Sequence, residues 1–117
     1  FEYETIFNMT QEQMSRFRIM VFEFHYLPEM WARSCFLMMS RVFKKILQTH
    51  ACVHVHRNNA NGAIARLGIE LPWCMEMTFL RRDRFRESRL ATTFPHPLDA
   101  DNVSNAPMVL HKSWHEA

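Results

Sequence analysis

The chain has 117 residues, 48% of them hydrophobic and 13% aromatic, and a formal net charge of +2. That length and composition fit one packed domain or part of one and exclude a disordered chain. The small charge gives no nucleic-acid footprint, no run of about 18 apolar residues predicts a membrane span, and no secretory leader is visible.

Phe1, Ile6 and Phe7, set among Glu2 and Glu4, read as the end of a helix. A chain that opens on Phe1 rather than Met is expected to be a processed product or a fragment. Thr10 with Gln13 three residues on matches a capping box, which predicts a short helix through about Arg16. Arg18–His25 is rich in β-branched and aromatic residues and predicts the first strand. Pro28 suits the first turn of a helix, where its missing N–H costs nothing, and Glu29 favours the positive end of the dipole. From Met30 to Gln48, Trp31, Cys35, Met38, Met39, Val42, Phe43, Ile46 and Leu47 recur at helical spacing. Arg33, Arg41, Lys44 and Lys45 take the other side, and such a basic cluster is a solvated face.

Ala51–His56 predicts the second strand. Strand, long helix, strand predicts a parallel, right-handed crossover. Arg57 to Gly62 is rich in Asn and predicts a loop, and residues 63–71 an irregular link ending at Pro72. Trp73–Leu80 predicts a third strand, antiparallel because it follows too soon for another crossover. Arg81 to Arg89 is charged, and Pro95, Pro97 and Pro107 mark an extended segment. The expected organisation is therefore one α/β unit over residues 1–90 and an extended tail over 91–117.

Cys35, Cys52 and Cys74 are odd in number, sit in apolar runs and show no CxxC spacing, which predicts buried, reduced thiols and a reducing, cytoplasmic setting. Gly62 and Gly68 are the only glycines, so a glycine-rich phosphate or dinucleotide loop is absent from the sequence.

Strand alternation sorts the side chains onto two faces. Met20, Phe22, Phe24, Val53, Val55, Met75, Met77 and Phe79 form an apolar set suited to lie under the long helix. Glu23, His25, His54, His56 and Glu76 then gather on the opposite face. This polar face has three readings. It is a wet or covered structural surface; or His25, His56, Asn58 and Asn59, at the C-terminal ends of strands, line a cleft for a ligand or for acid/base work; or His54, His56 and a carboxylate hold a metal.

The runs Phe1 to Phe7 (FEYETIF), Ile19 to His25 (IMVFEFH), His54 to Asn59 (HVHRNN), Met75 to Arg82 (MEMTFLRR) and Pro95 to Asp99 (PHPLD) with Asn102 are similar to the C-terminal half of FkbM-type S-adenosylmethionine-dependent methyltransferases. The resemblance implies the C-terminal part of a Rossmann-like methyltransferase sheet, with two parallel strands, a covering helix and a reversed last strand inserted between the other two. It implies class I methyl transfer, O-methylation of a small-molecule or glycan acceptor, with His25 and His56 as catalytic residues and Asn58, Asn59 and Glu23 on the substrate side. S-adenosylmethionine would serve the full-length protein. The glycine-rich loop and acidic residues that hold it are missing from this sequence, so no cofactor or metal residue carries over. This piece alone is expected to be inactive and to pair with the N-terminal half of its own domain, with no nucleic-acid or membrane partner. The alternative is a non-catalytic α/β module that packs on a partner through its sheet face.

Overall fold

A computed structural model describes residues 2–116. The chain opens with two short helices, α1 (Glu2–Asn8) and α2 (Gln11–Ser15), followed by β1 (Ile19–His25). Thr10 caps α2 through the expected capping box: its hydroxyl accepts from the Gln13 amide, and the Gln13 side chain accepts from the Thr10 amide. Phe1 lies outside the described residues.

A 3₁₀ turn, Leu27–Trp31, carries Pro28 in its first turn. The expected single helix over 30–48 is broken there. Ala32 is extended (φ −87, ψ 129), and α3 runs from Arg33 to Leu47. Met39, Val42 and Ile46 are its buried stripe, while Phe36, Leu37, Met38 and Leu47 stay exposed. The buried face is thus narrower than the apolar spacing predicts.

After α3 come β2 (His50–Arg57), a hairpin of β3 (Ala63–Arg66) and β4 (Ile69–Pro72), and β5 (Cys74–Arg81). The main sheet has the order β1-β5-β2, and β5 pairs antiparallel with both neighbours. The fold is therefore a small α+β unit, and the expected Rossmann-like sheet with two parallel strands is not what forms. Every hydrogen-bonded strand pair among the described residues is antiparallel. The physical reason lies in what a crossover fixes. A helix of α3's length returns the chain in the direction it left, so β1 and β2 run the same way. It does not make them neighbours, and β5 fills the gap between them.

The hairpin corrects the irregular link expected over 63–71. Leu67 (φ 51) and Gly68 (φ 77) are consecutive left-handed residues, the backbone of a two-residue hairpin turn. Leucine is an uncommon choice there, which hides the turn in the sequence. Arg57 ties the hairpin to the sheet by an ion pair with Glu70.

One core fills the space between the sheet's apolar face and α1 and α3. Tyr3, Ile6, Met20, Phe24, Val42, Ile46, Met75, Met77 and Phe79 are all buried in it. Phe24 is its centre, with ring centroids 4.7 Å from Phe43, 5.4 Å from Tyr3 and 5.5 Å from Phe22. His50 is also fully buried: its ring bonds the Thr49 hydroxyl at 2.8 Å and the Phe17 carbonyl at 2.9 Å, joining the start of β2 to the start of β1.

Phe24→Ala removes a fully buried ring and should cost about 3–5 kcal/mol in thermal or denaturant unfolding. Phe7→Ala, at a ring 52% exposed, should cost far less in the same assay.

Candidate functional site

The face opposite the helices carries the polar set, and the register shows how closely its members approach. Arg81 donates its amide to Arg18 O, and Tyr26 to Trp73 O. These bonds place the even residues of β1 in hydrogen-bonded pairs. The odd ones, Glu23 opposite Glu76 and His25 opposite Cys74, then occupy the intervening pairs, in which side chains stand closer. Across β5, His56 faces Glu76 and His54 faces Thr78. A register shift between Cys52 and His54 puts Cys52 opposite Phe79, so the strict alternation of β2 breaks there.

The face divides into an open end and a covered end. At the open end, the Asn58 side-chain amide donates to Glu23 Oε1 at 2.7 Å. His25 Nε2 stands 3.6 Å from Glu23 Oε2, and His25 Nδ1 stands 3.4 Å from Glu2 Oε1. The same Glu2 oxygen accepts the His25 backbone amide at 2.7 Å, while the Tyr3 hydroxyl donates to His25 O at 2.8 Å. Burial raises the Glu2 carboxyl, but the His25 amide and ring outweigh it and hold the group below its ordinary range. The Cys74 thiol is pushed up to about 12: burial acts most, then its hydrogen bond to the Glu23 carboxylate and the charges of Glu23, Glu76 and Glu2.

At the covered end, the tail lies on β2 and β5. Asp99 reaches both histidines of the metal-binding alternative, with Oδ1 2.8 Å from His54 Nε2 and Oδ2 3.4 Å from His56 Nδ1. The second ring nitrogen of His56 meets Ala100 O at 3.0 Å. Asn102 donates to Glu76 Oε1 at 2.6 Å. Asn59, 3% exposed, is the anchor: its Oδ1 accepts from the Asn102 and Val103 amides, and its Nδ2 donates to Val103 O and Asn105 O. Further along, Trp114 donates to Glu70 O at 2.7 Å, and Leu110 is buried.

Of the expected site residues, the structure brings Glu23, His25 and Asn58 together. It separates His56 and Asn59 from them, and both spend their hydrogen-bonding capacity on the tail. The tail is irregular, as expected from its prolines, and it is fastened to the sheet rather than extended away from it. Glu2 and Cys74 join the site without having been expected there. For Cys74 the signal is the alternation that places it with Glu76; Glu2 depends on how α1 packs, which alternation does not encode.

No family model matches the chain, and no curated protein or solved structure matches it. Among the described residues, no helix is long and apolar enough to cross a membrane.

Two outcomes follow from the geometry. Asn59→Ala strands four backbone groups of the tail, so residues 99–105 should lose protection in hydrogen exchange, at a cost of about 1–3 kcal/mol to that segment's docking. Second, the unfolded Cys74 thiol ionises near 9.0, whereas the folded one keeps its proton to about 12. Folding therefore takes up a proton between those values, and stability falls as pH rises through that window. Cys74→Ser should flatten the fall, read as unfolding free energy against pH.

Proposed function

We propose that the chain is the acceptor-side portion of an S-adenosylmethionine-dependent O-methyltransferase, and that Glu23 and His25, backed by Asn58, receive a hydroxyl of a small-molecule or glycan acceptor. The observation that carries this reading is the open cluster itself, in which the half-exposed His25 imidazole stands 3.6 Å from the half-exposed Glu23 carboxylate.

Further support comes from where the open cluster sits. His25 ends β1 and Asn58 directly follows β2, so the cluster lies at the C-terminal ends of two strands that run the same way. The imidazole is held by Glu2 on its Nδ1 side and turns Nε2 toward Glu23 and solvent. In that pose His25 takes the proton of the acceptor hydroxyl and Glu23 positions it, while the buried Asn58, bonded to Glu23 Oε1 and to the Ala60 amide, holds Glu23 in place. Tail contacts withdraw His56 and Asn59 from this role.

The residues present do not fit S-adenosylmethionine itself. A side-chain carbon added at Gly62 or Gly68 would meet nothing within 4 Å, and Gly68 sits at the tip of the β3–β4 hairpin. Neither glycine lets the backbone cradle a bound group. Donor binding belongs to a part of the domain outside these residues, and the role of this chain is confined to the acceptor. A second reading, a non-catalytic module that packs on a partner, draws on the edge of β1, where Ile19 and Val21 are exposed.

The test is methyl transfer from labelled S-adenosylmethionine by the full-length protein that contains this chain. His25→Ala should lower turnover about 100-fold or more, and His96→Ala should not. This chain alone should show no heat of binding in cofactor titration. Failure of the full-length protein to bind S-adenosylmethionine would overturn the enzyme and leave the module.

A further inference from the structure

We propose that Glu23, His25 and Cys74 form a binding site for one zinc ion, with a fourth position open to solvent. This goes beyond methyl transfer and does not rest on it. One ligand atom from each of the three side chains lies within 4.8 Å of the others. Tetrahedral zinc, with bonds of about 2.0–2.3 Å, sets its ligand atoms about 3.3–3.8 Å apart. Side-chain movements of about an ångström therefore close the site, because the backbone positions already match: Glu23 and His25 are two residues apart on one strand, and Cys74 stands directly across from His25.

The donor set selects the metal. A thiolate, an imidazole and a carboxylate together suit zinc, whereas magnesium and calcium take oxygen ligands. The surroundings are those of a metal-binding histidine. Glu2 lies 3.4 Å from His25 Nδ1 and also fixes the His25 backbone amide. A carboxylate on Nδ1 keeps the proton there and leaves the Nε2 lone pair for the ion. Asn58 occupies Glu23 Oε1, leaving Oε2, the oxygen that faces His25 Nε2, to coordinate.

Charge points the same way. Glu23 and Glu76 face each other across the sheet, a like-charged pair that is unfavourable in that position. Among the described residues, no Lys or Arg forms an ion pair with either. A divalent cation would offset both. The other histidine group is built for a different purpose: Asp99 already bridges His54 and His56, and both ring nitrogens of His56 are engaged.

On binding, the Cys74 S–H bond breaks, its proton leaves to solvent, and the sulfur–zinc bond forms. The side chains of Glu23 and His25 are each 43% exposed, which gives the ion a path in and leaves its fourth position to water or a substrate oxygen. His25 Nε2 is then a ligand. Proton removal from an oxygen in that fourth position passes to the ion, which acidifies it.

The test is titration of the metal-stripped chain with cobalt(II), the spectroscopic stand-in for zinc. One equivalent should bind, with a thiolate-to-cobalt charge-transfer band and the visible intensity of a tetrahedral ion, and zinc should displace it. Cys74→Ser should abolish the band. Because Cys74 is buried and that variant can unfold, His25→Gln and Glu23→Gln serve as well: each should weaken binding more than about 100-fold, and Glu2→Gln about 10- to 100-fold. His96→Ala, at an exposed ring, should leave binding unchanged. Absence of the thiolate band in the unaltered chain, or equal affinity in His25→Gln, would overturn the site. Metal binding assigns proton removal to the ion, and its absence leaves His25 Nε2 as the base; S-adenosylmethionine binding by the full-length protein is read separately and decides the enzyme reading alone.

Discussion

All pairing in the main sheet passes through β5. It bonds to β1 along its full length on one side and to β2 on the other, and those two strands have no contact of their own in the ladder. Its side chains divide the molecule. Met75, Met77 and Phe79 are buried under α1 and α3, while Cys74, Glu76 and Thr78 look the other way. Backbone hydrogen bonds left unmade inside such a structure are costly, so β1 and β2 depend on this last strand to become a sheet. The polar cluster depends on it too, since Cys74 and the Glu23–Glu76 pair exist only in this register.

The two ends of the polar face differ in what their hydrogen-bonding groups are used for. On the β2 side, Asn59 and His56 are engaged by the tail through both polar atoms of each side chain. A polar residue whose donors and acceptors are all occupied by the chain holds structure and has nothing left for a ligand. On the β1 side, Glu23 and His25 keep free capacity at half-exposed positions. This asymmetry, rather than the residue types, separates the site from its scaffold, because histidines and acidic groups occur at both ends.

Strong periodicity is legible in the sequence and long-range placement is not. The strands at Arg18–His25 and Trp73–Leu80 follow from alternation, and the capping box at Thr10 follows from a local pattern; each is observed close to its expected bounds. The break before α3 falls at Ala32, which carries no helix-stopping signal, so apolar spacing alone starts the helix three residues too early. The β3–β4 hairpin hides behind strands of four residues and a turn with Leu67 at positive φ. A common direction for β1 and β2 is expected from the length of the connecting helix, a local property, whereas hydrogen-bonded pairing is decided by where β5 docks. Asn58 and Asn59 illustrate the same limit. Two asparagines before a glycine read as a turn, yet both are buried, one aimed at Glu23 and the other clamping the tail. A lone cysteine in an apolar run, such as Cys74, reads as core until its cross-strand partner is known.

The position of His25 is set by a helix distant from it in sequence. Glu2 and Tyr3, both in α1, satisfy the outward amide and carbonyl of His25 at the end of an edge strand. Those bonds replace the ones a further strand would make, so the edge of β1 is closed at the cluster and exposed at Ile19 and Val21. The same Glu2 carboxylate also faces His25 Nδ1. It thus terminates the strand edge and orients the imidazole in one contact, with its own ionised form favoured by both the amide and the ring of His25. An additional strand paired along the whole of β1 would have to displace Glu2 and Tyr3, and the orientation of His25 would be lost with them. Chemistry at this end of the sheet therefore requires that β1 remain an edge at His25, whatever covers Ile19 and Val21.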